Sequence, residues 1–380
     1  MKRIILLLSI LIIPLFLFTK SILAQDNQTP LVPPTKDEIL RGKVIKIAEE
    51  GEREIVDKKY PYQIVEVEFN EGSEKGNVKK IDHGQTFTIT EAQKVKGGET
   101  IVIVKSESPT GKEPIYQIVD TYRLNKIPGM LVVFAILVIF LSKWKGAGSI
   151  LGLGISLLVI VKFIVPQILA GRDPLFISIA GSLIILASTI YLAHGFSKKT
   201  SVALFSTFLS LIITGILAVL FVNTAHLTGL GTDDANSLRF GPTSIINFQG
   251  LLLGAIIIGT LGVLDDVTTS LSATIFEIKS ANSAIKFQEL LSKGLRVGSE
   301  HISSLVNTLV LAYAGASLPI FLFIILNPSH QPLWFILNSE VIMEEVVRTL
   351  SGSIGLVMAV PITAIAASWV CSYVASENKK

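Results

Sequence analysis

The chain has 380 residues, half of them hydrophobic, a formal net charge of +3 and a single cysteine. Several apolar runs reach the roughly 20 residues needed to span hydrocarbon, so the class is a polytopic membrane protein rather than a soluble one. Cys371 alone excludes an intrachain disulfide and a thiolate metal cluster. The small positive charge comes from lysines spread over particular loops, so nucleic acid is not an expected partner and the lipid bilayer is.

Met1-Lys2-Arg3, an apolar run to Phe18 and the small-residue stretch ending at Ala24 have the three regions of a secretory signal. Cleavage is expected after Ala24, with an uncleaved anchor as the alternative because Ile22 is larger than the residue usually found there. Residues 25–37 are polar and proline-containing and read as a linker.

Residues 38–123 change to short alternating runs such as Gly42-Lys-Val-Ile-Lys-Ile and Glu99-Thr-Ile-Val-Ile-Val, separated by Gly, Asn, Asp and Pro. Period two indicates half-buried strands. Five or six of them in so short a segment predict a small exported β-barrel of the OB or SH3-like kind, since closure removes exposed edges. Lys79, Lys80, His83 and Lys94 could face a ligand but read better as solvated charge, and His83 alone makes no metal site.

Residues 124–375 predict a domain of about seven transmembrane helices, at 127–143, 147–170, 174–194, 201–223, 248–274, 302–326 and 347–373. Lys143 and Lys145, then Lys198 and Lys199, then Lys279, Lys286, Lys293 and Arg296, then Lys379 and Lys380 fall on alternate loops, which the positive-inside rule assigns to the cytoplasm. This orientation puts the β domain outside and the C-terminus inside, in the plasma membrane of a cell. The loop from Leu227 to Arg239 carries closely spaced oxygen ligands but lacks the glutamate of an EF-hand, so a glycine-rich turn leading to a helix begun by Asp233 and Asp234 fits better. His194 and His226 end spans and read as interfacial fillers. Residues 275–300 have helical periodicity and predict a cytoplasmic amphipathic segment that lies along the membrane or caps the bundle.

The chemistry concentrates in Gly259-Thr-Leu-Gly-Val-Leu-Asp265-Asp266-Val-Thr-Thr269-Ser270. At 100° per residue Asp265, Thr269 and Ser272 share a face, beside a stripe of Asp266, Thr269 and Ser270. Ionisable groups within a span are costly and are usually functional or paired. The two aspartates therefore either hold a proton or cation, chiefly at Asp265, or lie in the interface paired with Lys279 or Lys286. On the sixth span His301 and Asn307 are further candidates: Asn307 either shares the ion of Asp265 or hydrogen-bonds between helices. On the last span Glu344 can pair with Arg348 one turn on, and the glycines from Gly352 to Gly355 together with Pro361 mark a segment open to close approach or a freed carbonyl.

The strings Leu192-Ala-His194-Gly195-Phe-Ser-Lys198-Lys199-Thr200, Gly259 to Val267, Arg296 to Pro319 and Asn338 to Pro361 resemble the YibE/F-like integral membrane proteins of bacteria. The resemblance covers the whole membrane part, and Asp265 and Asp266 match the family's acidic motif. It implies suspected transport and no ligand assignment.

Three functional classes follow. The first is a transporter or channel for a small solute or ion, favoured because polar groups lie within spans and no GxxxxGK[ST] motif is present. The second is a membrane enzyme using a metal such as magnesium at Asp265-Asp266 on a lipid-linked substrate, which the scarcity of further aspartates disfavours. The third is an assembly factor whose β domain binds an envelope partner.

Overall fold

The computed structural model describes residues 37–55, 58–107, 114–239, 246–326 and 330–377. The signal sequence and all but the last residue of the linker lie outside these. The chain divides into two compact units, one holding the β domain and running through Ile136, the other running from Leu137 onward.

The first unit is one antiparallel sheet of β1 (Glu38–Ile55), β2 (Lys58–Phe69), β3 (Val78–His83), β4 (Thr100–Ser106) and β5 (Ile115–Thr121), in the order β3-β2-β1-β4-β5. Strict alternation along β2 buries Gln63, Val65, Val67 and Phe69, and the last three join Leu40, Val44, Ile81, Ile101, Ile103 and Ile118 in a one-sided core. Register shifts at Val44/Lys46 and Ile47/Glu49 bend β1 and curl the sheet.

The expected barrel is not formed: the sheet stays open between β3 and β5. Alternation specifies a buried face but not closure, which also needs the backbone groups of the two edge strands to meet in register. Side chains bridge these edges instead. Lys79 Nζ donates to the Tyr116 hydroxyl at 2.6 Å, and Glu74 accepts from Tyr116 and from Lys105, both at 2.7 Å. Lys79 on the edge strand β3 thus does double duty, since charge on an edge also discourages pairing with another sheet.

The hydrogen bonds from Lys105, then Asn77 and Tyr116, hold the Glu74 carboxyl well below the usual carboxylate range. A lowered folded-state pKa stabilises the fold above the unfolded value, and that contribution is lost as pH falls through the lowered one. Glu74→Gln therefore loosens the clamp at neutral pH and speeds amide exchange in β3 and β5. Exchange unchanged from wild type would show that the clamp holds neither edge.

The second unit is helical. Its elements are α1 (Ile127–Leu169), α2 (Pro174–His194), α3 (Lys198–Thr224), the short α4 (Asp233–Arg239), α5 (Phe248–Ala281), α6 (Phe287–Ala316), α7 (Leu318–Leu326), the short α8 (Leu333–Leu337) and α9 (Glu340–Glu377). Five of these, α1, α2, α3, α5 and α9, are long and apolar enough to cross a membrane, and the pair α6 and α7, bent by 69°, makes a sixth if it is one span. The expected count of seven differs because residues 127–169 form one helical stretch. That stretch is broken at Lys143, whose φ of 52° and ψ of −130° are not helical. Beyond the break a Cβ on Gly146 would strike the Val138 carbonyl oxygen, whereas in a continuous helix those residues stand about 12 Å apart along the axis.

Residues 275–300, expected to be helical and to lie along the membrane or cap the bundle, fall on two helices. Residues to Ala281 extend α5, a turn follows, and Phe287 begins α6, with Ile275, Ile285 and Leu290 buried in the bundle core. Three- and four-residue periodicity cannot distinguish a helix lying on a membrane from two helix ends that pack on neighbours.

Helix α5 is central, packing against α2, α3, α6 and α9. Small residues set the close approaches in the bundle: Gly254 of α5 abuts Ser178 of α2, Gly352 of α9 abuts Thr260 of α5, Gly355 of α9 abuts Thr214 of α3 and Gly298 of α6 abuts Val360 of α9. Within a bilayer, where lipid competes equally for apolar surface, such close backbone approach and interhelical polar contacts drive association.

Candidate functional site

Asp265 lies at the midpoint of α5, about 25 Å along the axis from Phe248. It is half-buried, and its Oδ1 is buried without any hydrogen-bond partner. Its neighbours are Asp266 on the same helix and Thr189 on α2. The Thr189 hydroxyl lies against the Asp265 carboxyl and donates to the Ile185 carbonyl at 3.0 Å. Asp266 is exposed.

Thr268 and Thr269 also turn to backbone rather than to carboxylates. Thr269 Oγ1 donates to the Asp265 carbonyl at 2.8 Å, and Thr268 Oγ1 lies 3.2 Å from the same oxygen and 2.5 Å from Thr207 Oγ1 of α3. Thr269 therefore supports this turn of helix and is not placed as a ligand through its proton. Ser272 Oγ donates to the Lys199 carbonyl at 2.8 Å and ties α5 to the start of α3.

The alternative of lysine pairing finds no contact: among the described residues no lysine or arginine forms an ion pair with Asp265 or Asp266. Lys279 is occupied by the Ser283 and Ile285 carbonyls at 2.8 and 2.7 Å. His301 is half-buried and Asn307 exposed on α6, and among the described residues neither hydrogen-bonds to Asp265. Thr189, Thr207 and Thr268 do not stand out in the sequence. Their signal was hydroxyls recurring inside apolar runs, which is also how packed spans look.

A second polar cluster joins the start of α9 to the loop before α4. Glu340 Oε1 accepts from Thr228 N at 2.5 Å, Thr228 Oγ1 at 2.7 Å and Gly229 N at 2.9 Å, and Glu344 Oε1 accepts from Gly231 N at 3.0 Å. Gly229 takes a φ of +82° and a Cβ there would strike the Phe248 backbone, so glycine is required, whereas a Cβ on Gly231 would sit 2.8 Å from the Glu344 carboxyl and displace that side chain. The expected Glu344–Arg348 pair is replaced by Glu345–Arg348, 3.5 Å apart, because Glu344 turns to the loop. Removing the acceptor with Glu340→Ala should cost about 2 kcal/mol through lost charge-assisted hydrogen bonds, read as a lower midpoint of thermal unfolding in detergent. A midpoint equal to wild type would show that the loop is held without it.

These features define a multi-pass membrane protein whose central helix carries a carboxylate without a cationic partner among the described residues. The chain belongs to the YibE/F-like protein family, which matches residues 130–373 and so begins after the sheet. No curated protein and no solved structure matches it.

Proposed function

We propose that the protein is a membrane transporter or channel for a small solute or ion, with Asp265 as the group whose protonation or cation occupancy is coupled to passage. The observation that carries this reading is the buried, unpartnered Oδ1 of Asp265 in the middle of a candidate span. A bare carboxylate in hydrocarbon is strongly disfavoured, so it is accommodated with a proton or a cation on it. A group that must hold such a partner, and can release it, is what an ion-coupled carrier needs.

The reading uses seven spans, with α1 contributing two on either side of Lys143 and the bent pair of α6 and α7 contributing one. The fold-back of Gly146 onto Val138 supports the first division, since a single 43-residue helix would be about 65 Å long against a hydrocarbon core of about 30 Å. Seven spans with the lysine-rich loops inside put the β domain outside and the C-terminus in the cytoplasm. A cleft of about 250 Å³ on the β domain, bordered by His83, Phe87, Gln117 and Arg123, supports a second role for that domain, capture of an envelope partner.

The test is flux. Purified protein reconstituted in liposomes should carry protons or divalent cations down an imposed gradient faster than protein-free liposomes do. Equal leak rates for both kinds of ion would count against the ion-coupled reading.

A further inference from the structure

His194 ends α2 beside the acidic pair. The helix stops at Gly195, whose φ of +74° turns the chain, and Tyr191 stacks on Phe196 at 4.2 Å to fix that turn. The imidazole is exposed. The charged groups that face it are Lys145 from α1, Lys199 from α3 and Asp266 from α5, and Asp266 also acts on Asp265.

Between α2, α3 and α5 lies a cavity of about 20 Å³ bordered by His194, Lys199, Thr200, Ala203, Thr269 and Ala273. A cavity needs about 10–15 Å³ and two to four polar partners to hold a water molecule. His194, Thr200 and Thr269 supply hydroxyl and ring groups, and Thr269 stands one turn, about 5 Å, beyond Asp265. His194 and Thr269 thus border one water-sized cavity, and Asp265 stands one turn from Thr269 on α5.

We propose that His194 is a proton relay that connects Asp265 and Asp266 to the aqueous phase through a water molecule held between α2, α3 and α5. This rests on the transport reading above. The imidazolium passes a ring proton to the water, which hands one of its own protons to the carboxylate, and the neutral imidazole takes a new proton from solvent. Histidine suits the step because it exchanges protons near neutral pH, and chains of histidine and carboxylate serve as relays in membrane proteins.

The experiment measures proton flux in liposomes for the full-length wild type, His194→Ala and Asp265→Asn, each shown to be monodisperse by size exclusion. His194→Ala should slow flux about a hundredfold, the low end of the range for a lost acid–base group, and external imidazole should restore much of it, while Asp265→Asn should not respond to imidazole. His194→Ala conducting at the wild-type rate overturns the relay and leaves the transport reading standing. Slowed flux that imidazole leaves unchanged also overturns it, because the histidine is then only structural. Absence of proton flux in the wild type removes the relay together with proton coupling.

Discussion

Asp265→Asn should reduce gradient-driven flux to the level of protein-free liposomes while the protein stays folded. Asparagine keeps the shape of aspartate but cannot bind and release a proton, and it is a far weaker cation ligand. The fold should tolerate the change, because Oδ1 has no hydrogen-bond partner to lose and no ion pair among the described residues holds the carboxylate. Removing an uncompensated buried charge is neutral or stabilising, unlike breaking a buried pair. Asp266→Asn should be milder, since that side chain is exposed and acts on its neighbour through charge. Flux and thermal midpoint measured side by side decide the matter. Wild-type flux in both variants would remove the acidic pair from the mechanism, and loss of flux with loss of folding would assign Asp265 to structure.

The second large effect concerns packing. Gly355→Ala should destabilise the helical unit by about 1–3 kcal/mol, the usual cost of overpacking a filled interior. The added Cβ would collide with Thr214 Oγ1 across the contact of α3 with α9. The sign is diagnostic, because alanine is favoured over glycine inside a helix by about 1 kcal/mol, so a net loss must come from the collision. Thr214→Ala should recover much of it at small cost of its own, as the Thr214 hydroxyl only back-bonds to the Ser210 carbonyl at 2.9 Å. Unfolding in detergent for the two single variants and the double variant reads the coupling directly. A Gly355→Ala protein as stable as wild type would mean that the two helices do not approach this closely.

The helices were legible from their composition, because uninterrupted apolar runs of the right length permit few other structures in lipid. Their junctions were less so. The break at Lys143 agrees with an expected boundary between 143 and 147, yet the helical stretch continues through it, since Trp144 and Lys145 carry no helix-breaking signal and the turn is made by one residue with positive φ. The bend at Ser317 was not expected at all: the apolar run continues through Leu318 and Pro319, and hydropathy does not see direction. In the β domain the strands followed from alternation, while the open seam between β3 and β5 depended on where Glu74, Lys79 and Tyr116 meet.

The candidate site divides in the same way. Two aspartates ending a glycine-rich apolar run are visible in the sequence, because charge in a span is conspicuous against its surroundings. Which carboxylate is sheltered was not visible. Helical periodicity offers Asp265 and Asp266 on adjacent faces, and only the packing of α2 against α5 puts one beside Thr189 and leaves the other exposed. Sequence offered Asn307 and His301 as partners on spacing within α6, but spacing inside one helix says nothing about which neighbour its face meets. The sequence by itself determined membrane residence, the family, the strands and the acidic motif, all properties of local composition and period. Tertiary structure decided the open sheet, the turning of Glu344 to a loop, the shelter of Asp265 and the nearness of His194, because each depends on residues far apart in the chain being brought to one place.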